Sequence, residues 1–267
     1  PATQDSRWLV YPSEDGPGKG KRVVFVAGDE EYRSEESLPM LARLLSTHHG
    51  FESVVLFSQN PETGEIDPNN PSNIPGLHLI DEADLLVLLL RFRELPDEEM
   101  AHIMNYVDSG KPLIGMRTAT HAFNYKKNKD SPYAKWTWNS QDPKGGFGGA
   151  ILGETWVAHH GHHGKEATRG VNNPELADHP ALRGVSDVFG TTDVYTIGEL
   201  PADAQVLLNG SVLDGMTPEA QPVDGPKNNP MHPVAWLRLR KVNTRAGEVT
   251  QRIFSTTMGA APDWSSH

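Results

Sequence analysis

Along the chain, short apolar runs alternate with stretches whose apolar residues recur at helical spacing. Arg22 to Ala27 is the first apolar run and reads as a buried strand ended by Gly28. A polar loop follows, Asp29-Glu30-Glu31-Tyr32-Arg33. Ser34 then suits an N-cap, with Glu35 and Glu36 in the first turn. The spacing of Leu38, Leu41, Leu44 and Leu45 predicts a helix to about His48 with these leucines inward, and Gly50 stops it. Ser53 to Phe57 reads as a second strand. Asp84 to Leu90 is the most apolar run and predicts a central strand, ending in Arg91-Phe92-Arg93. Pro96 opens a second helix at its favoured first position, with Met100, Ile103, Met104 and Val107 inward and Gly110 at its end. Pro112 to Met116 is the next strand, followed by a sharp turn at Arg117-Thr118 and the start of a helix. This alternation predicts an α/β fold: a parallel sheet with helices on both faces.

Elsewhere the pattern is weaker. Residues 1–20 read as an extended arm anchored by Trp8, Leu9 and Val10, and residues 21–267 as one α/β domain. Residues 59–78 read as a long loop, of the kind that is often functional. Lys126 to Gly149 is polar and Gly-rich, with Tyr133, Trp136 and Trp138 embedded, and Gly145-Gly-Phe-Gly-Gly149 reads as a flexible loop. Ile151 to Ala158 is expected as a short helix or strand. Val188 to Ile197, Gln205 to Asn209, Pro233 to Leu239 and Val249 to Thr257 read as later strands, some antiparallel.

Composition narrows the function. The 267 residues carry a net charge of −11 and no basic run, which argues against a nucleic-acid partner. No apolar run approaches the ~20 residues of a membrane-spanning helix. The absence of cysteine removes disulfides, thiolate metal sites and cysteine nucleophiles together. The polar start, Pro1 to Ser6, suits a trimmed leader or an artificial boundary equally well.

The Arg117 turn is where an open α/β sheet binds ligands, at the carboxyl end of a strand. Hydrolases and amidotransferases of related architecture carry a Ser or Cys there on a strained strand-to-helix turn. Arginine stays protonated and cannot be a nucleophile, so the turn is an elbow without one. Arg91 and Arg93 leave the preceding strand towards the same crevice. Their forks suit carboxylates and phosphates, or internal pairing with Asp29, Glu30 or Glu31. His159-His160-Gly161-His162-His163 offers metal ligands. If that segment is extended, His160 and His162 share a face and could hold a divalent ion such as zinc. The alternative is a solvated loop or hydrogen bonding to a polar ligand. Trp136, Trp138 and Trp156 would suit the apolar faces of a carbohydrate, or fill the core under a long loop. Asp193 and Tyr195 could do acid-base work.

Taken together, these segments resemble the ThuA-like (trehalose-utilisation type) family, of the class I glutamine amidotransferase-like superfamily. The resemblance covers about residues 21–260. Gly115-Met-Arg-Thr-Ala-Thr120 resembles a Gly-x-His-Ser-Ala-Thr segment, with Arg117 in place of His. Gly153-Glu-Thr-Trp-Val-Ala-His159 resembles Gly-x-Phe-x-x-His, and His179-Pro-Ala-Leu-Arg-Gly184 resembles His-Pro-x-x-x-Gly. Thr192-Asp-Val-Tyr195 stands where members have Asp-Glu-Leu-Tyr, so Asp193 replaces Glu. His232 to Trp236 and Arg252 to Gly259 match the last two strands, with Ala260 where a His is usual.

The resemblance implies a flavodoxin-like, amidotransferase-like sheet with added antiparallel strands, and a link to disaccharide and keto-sugar metabolism. A periplasmic or secreted location is implied over a cytoplasmic one. The function expected is a carbohydrate-active enzyme (hydrolase, lyase or isomerase) acting on a sugar, with keto- and acidic sugars as candidates. His121, His159, Arg117 and Asp193 are the expected catalytic residues. Glu31, Tyr32, Arg91, Arg93, Thr118, Trp156 and Tyr195 are the expected substrate contacts, and His160 and His162 the expected metal ligands. The alternatives are a non-catalytic sugar-binding or regulatory protein and a His-ligated metal hydrolase. The partner expected is a small molecule or oligosaccharide, with a homo-oligomer left open. Glutamine amidotransferase activity is excluded, since no cysteine is available.

Overall fold

The computed structural model describes residues 3–5 and 7–264. Part of the polar start and the last three residues therefore lie outside it. In chain order the strands and helices are β1 (Thr3–Asp5), β2 (Trp8–Tyr11), β3 (Arg22–Gly28), α1 (Ser34–His49), β4 (Glu52–Phe57), β5 (Leu85–Leu90), α2 (Asp97–Asp108), β6 (Leu113–Met116), β7 (Trp156–His159), β8 (Thr168–Asn172), β9 (Val188–Gly190), β10 (Tyr195–Ile197), β11 (Ala204–Val212), β12 (His232–Thr244) and β13 (Gly247–Thr256).

An 11-stranded sheet runs β1-β2-β4-β3-β5-β6-β13-β12-β11-β8-β9. Its centre, β4-β3-β5-β6-β13, is parallel throughout. Numbered along the chain, these five strands have the order 2-1-3-4-5, the flavodoxin-like arrangement, which places the switch point between β3 and β5. β12, β11, β8 and β9 extend the sheet antiparallel, and β2 pairs antiparallel at the opposite side. The segment expected as an arm thus contributes strands to the sheet. β7 and β10 form a separate two-stranded ribbon, with Tyr195 opposite His159.

The parallel strands are apolar on both sides because a helix covers each face. Leu38 and Ala42 of α1 pack on Phe25, Val87 and Met116. Met100, Ile103 and Val107 of α2 pack on Val24, Leu86 and Leu113. Each such large side chain contributes about 1.5–3 kcal/mol on burial. A third cluster, including Val194, Leu207, Val234 and Met258, holds the antiparallel half.

Several local expectations are corrected. α1 begins at Ser34, and its N-cap is Arg33 in the left-handed region at φ 56°. Its buried stripe is small: Ser34, Ser37, Leu38, Ala42 and Ser46, while Leu44 is 47% exposed. Small side chains let the helix sit close to the sheet. Pro96 is the N-cap of α2, one position before the expected one. The glycines of 145–149 are packed tightly, contrary to the flexible-loop reading. A Cβ on Gly148 would lie 2.1 Å from the Thr120 carbonyl oxygen, against the turn that follows β6. Among the described residues no helix is long and apolar enough to cross a membrane.

Candidate functional site

β6 ends by turning sharply into the 3₁₀ turn Arg117–His121, and Arg117 itself has φ 42°. A non-glycine residue in this region costs about 1–2 kcal/mol, so the surroundings must hold it. Arg117 has no exposure. Its Nη1 donates to the carbonyls of Asp193 (2.8 Å) and Thr257 (2.6 Å). Its Nη2 donates to Tyr32 Oη (2.9 Å) and Asp193 Oδ1 (3.0 Å). The guanidinium carbon stacks 3.6 Å from the Tyr195 ring centre and 4.5 Å from that of Tyr32. Burial is the main cause pushing both phenols above their ordinary pKa.

Asp193 is the hub of the site. Its side chain has no exposure, and a carboxylate can only accept. Oδ2 therefore receives the Nδ1–H of His159 at 2.7 Å, and Oδ1 lies 3.2 Å from His163 Nδ1. The side chains of His159 and His163 are 38% and 50% exposed, with ring centres 5.0 Å apart. His163 Nε2 also lies 3.5 Å from Glu31 Oε1. The chain reaches this geometry because β7 stops at His159 and turns at Gly161. A Cβ on Gly161 would stand 3.1 Å from the Asp193 Cβ.

β5 ends in a second left-handed turn, at Phe92 with φ 51°. Arg91 pairs with Glu30 and, at 2.9 Å, with Glu31. Arg93, 3% exposed, donates to Glu30 (2.8 Å) and to the carbonyls of Arg91, Pro68 and Asn70. Asp29, at the end of β3, accepts from the backbone amides of Glu31 (2.8 Å) and Tyr32 (2.7 Å) and from the Thr118 hydroxyl. Burial pushes its pKa up and these bonds pull it back, with the net direction upward.

His121 is buried among rings, with centres 5.0 Å from Phe92, 5.3 Å from Trp156 and 5.9 Å from Tyr195. Burial, then Arg91, Arg117 and His159, hold its pKa well below the ordinary histidine value. It is a neutral imidazole at neutral pH. The rings of Trp138 and Trp156 lie 5.5 Å apart, tilted by 54°, and Trp156 lies 5.7 Å from His159, so an aromatic wall meets the histidines.

The structure brings His159, Asp193, Arg117 and Trp156 together, with Glu31 reaching them through His163. Tyr32, Arg93, Thr118 and Tyr195 sit beneath this surface, 6%, 3%, 0% and 1% exposed, and hold the framework. His160 and His162 are not paired on a face as expected, because the chain turns instead of continuing extended. His160 Nε2 lies 2.8 Å from the Lys227 carbonyl, and His162 is exposed beside Glu166. Among the described residues, the ligand atoms that come within 4.8 Å of one another are those of His159, His163 and Asp193, a group that could hold a metal. Trp136 packs on Phe147 in the core. His163, Asp29 and Phe92 were absent from the expected site. Gly161 is the available signal for His163, since a turn there returns the fifth residue of the segment towards the first. An apolar pocket of about 340 Å³, lined by Leu41, Ile114, Met116, Phe254 and Met258 among others, shares none of the site's side chains.

No protein-family model matches the chain, and no curated protein matches it. Solved structures do. A protein described as ThuA-like from Bacteroides uniformis superposes with a TM-score of 0.51 at 14% identity, covering 94% of this chain and 86% of that one. Another so described, from Parabacteroides merdae, gives 0.50 at 14% identity, covering 91% and 80%. This chain has the fold of the ThuA-like proteins, a parallel α/β core with an antiparallel extension.

Proposed function

We propose that the protein is a carbohydrate-active enzyme in which His159, oriented by Asp193, is the general acid-base group. The observation that carries this reading is the 2.7 Å contact from His159 Nδ1 to the sealed Asp193 carboxylate, beside Trp156. With Nδ1–H fixed on the carboxylate, the Nε2 lone pair is left free on the far side of the ring. A base held by a third group is the usual arrangement for positioned proton transfer. Trp156, Trp138 and Phe92, with Trp138 tilted 54° to Trp156 and 56° to Phe92, line the site with aromatic faces, and a single such ring is the kind of apolar surface that a pyranose or furanose face packs on. His121 is neutral and has no carboxylate partner among the described residues, so of the two expected acid-base histidines His159 fits the role. Elbow strain and a fully enclosed Arg117 make that residue the anchor of Asp193 rather than a substrate clamp.

A second reading rests on one observation, the convergence of His159, His163 and Asp193 on one point. These three would be the ligands of a divalent cation in a metal hydrolase. Against it stands Arg117, whose guanidinium already lies 3.0 Å from Asp193 Oδ1 and repels a second cation there.

Two measurements separate these readings. Elemental analysis of the purified protein reports bound metal, and a screen of keto-sugars, disaccharides and uronates reports turnover. The acid-base reading expects sugar turnover without stoichiometric metal and a loss of about 10²–10⁴-fold in kcat for His159→Gln, with the sugar still bound. Full activity in His159→Gln would end it.

A further inference from the structure

The arrangement of charges around the site bears on whether a sugar bound there is neutral or anionic, and the inference rests on the acid-base sugar reading. We infer that the site takes an uncharged sugar, and that Glu30 and Glu31 are specificity residues which withhold Arg91 from an anionic one.

An anionic sugar would be recognised through a free guanidinium fork, since paired N–H donors match a carboxylate or phosphate. The site contains three arginines, and the protein occupies the fork of each. Both terminal nitrogens of Arg117 are committed to Asp193, Thr257 and Tyr32, and the residue has no exposure. The remaining Nε of Arg117 is buried without a partner, out of reach of a ligand. Arg93 is 3% exposed and committed to Glu30 and to carbonyls. Arg91 alone reaches the mouth, at 26% exposure, and there Nη1 and Nη2 are capped separately by Glu30 and Glu31.

Four carboxylates (Asp29, Glu30, Glu31 and Asp193) stand against the three arginines, so the charge balance of the site is on the acidic side. Glu31 also faces His163, and Asp193 lies directly under His159. A ligand carboxylate in this crevice would meet like charge at short range and would have to displace a glutamate from Arg91 to find a partner. A keto or hydroxyl group meets no such repulsion, and the exposed imidazoles can donate to it or accept from it.

The test is calorimetric titration of the native protein with matched pairs of sugars. Each pair is a neutral hexose or keto-glycoside and the uronate of the same ring, run at 20 mM and 300 mM salt. Glu31→Gln and Glu30→Gln are titrated beside it; both glutamates are part-exposed, so either variant suffices if the other does not fold. The inference expects the neutral member to bind at least tenfold more tightly in the native protein, with a gap that narrows at high salt as the repulsion is screened. It further expects uronate affinity to rise in either variant, because Arg91 is released, so that the preference for the neutral member narrows. A uronate that binds the native protein as tightly as its neutral partner overturns the inference and leaves the sugar reading standing. A preference for the neutral sugar that neither substitution changes removes the role given to Glu30 and Glu31. If no sugar of either kind binds, the sugar reading falls and this inference with it.

Discussion

Two neighbouring strands of the parallel sheet end in the same way and use the result differently. β5 and β6 each close with a non-glycine residue in the left-handed region, Phe92 at φ 51° and Arg117 at φ 42°. At the β5 turn the flanking Arg91 lies at the mouth, 26% exposed, and is held by glutamates from the loop after β3. At the β6 turn Arg117 is sealed, stacked between two tyrosines and bonded to a carboxylate that no solvent reaches. A charged side chain at a strand end is thus not by itself a ligand contact. Burial and the count of committed donors decide between a clamp and an anchor.

The sharpest way to break this contrast is to remove each arginine. Arg117→Ala leaves Asp193 buried beside two histidines without its cation, and should lower the unfolding free energy by about 3–5 kcal/mol in a denaturant titration. A loss under about 1 kcal/mol would mean that the β6 turn is no more an anchor than the β5 turn.

The next largest effect is a pH dependence carried by the same sealed region. His121 binds its proton well below the ordinary value when folded, whereas the unfolded chain protonates it near pH 6.5. Below that pH the unfolded state holds the extra proton, so the stability due to a neutral His121 is complete above about 6.5 and is lost as pH falls towards the folded value. The slope is up to about 1.4 kcal/mol per pH unit. His121→Phe, which keeps a ring among Phe92, Trp156 and Tyr195, should remove this part of the acid sensitivity. The check is the change in unfolding free energy from pH 7 to pH 5 in the two proteins; equal changes would place His121 in contact with water.

The smallest effect belongs to the mouth. Arg91→Gln should cost under about 1 kcal/mol, because a part-exposed ion pair is worth little, and the cost should shrink further as salt is raised. A cost matching that of Arg117→Ala would erase the distinction between the turns.

Much of this architecture was legible in the sequence. The apolar runs at Arg22, Leu85 and Leu113 give the parallel core because strands buried on both faces carry continuous apolar signal. The Arg117 elbow follows from a strand ending at a polar turn. β8, Thr168–Asn172, was missed because its polar and glycine residues carry no alternation, and it is held by pairing to β11 and β9. The site was legible in part. Arg117, His159, Asp193 and Trp156 were named, yet whether an arginine is sealed or open depends on residues far away in sequence, such as Thr257 and Tyr32. The pairing of His160 with His162 assumed an extended backbone; the tight approach of Gly161 to Asp193 bends the chain and brings His163 in.

The central claim is that Asp193, anchored by Arg117, fixes His159 with Nδ1 protonated and Nε2 bare. ¹⁵N–¹H correlation of the imidazole nitrogens at pH 8.5 tests it without knowledge of the substrate. The account predicts that His159 in the native protein shows a protonated Nδ1 and an unprotonated Nε2, and that Arg117→Lys, which loses the two-handed grip on Asp193, moves it towards an average of the two tautomers. A native His159 protonated at Nε2, or one already averaging between tautomers, would contradict it.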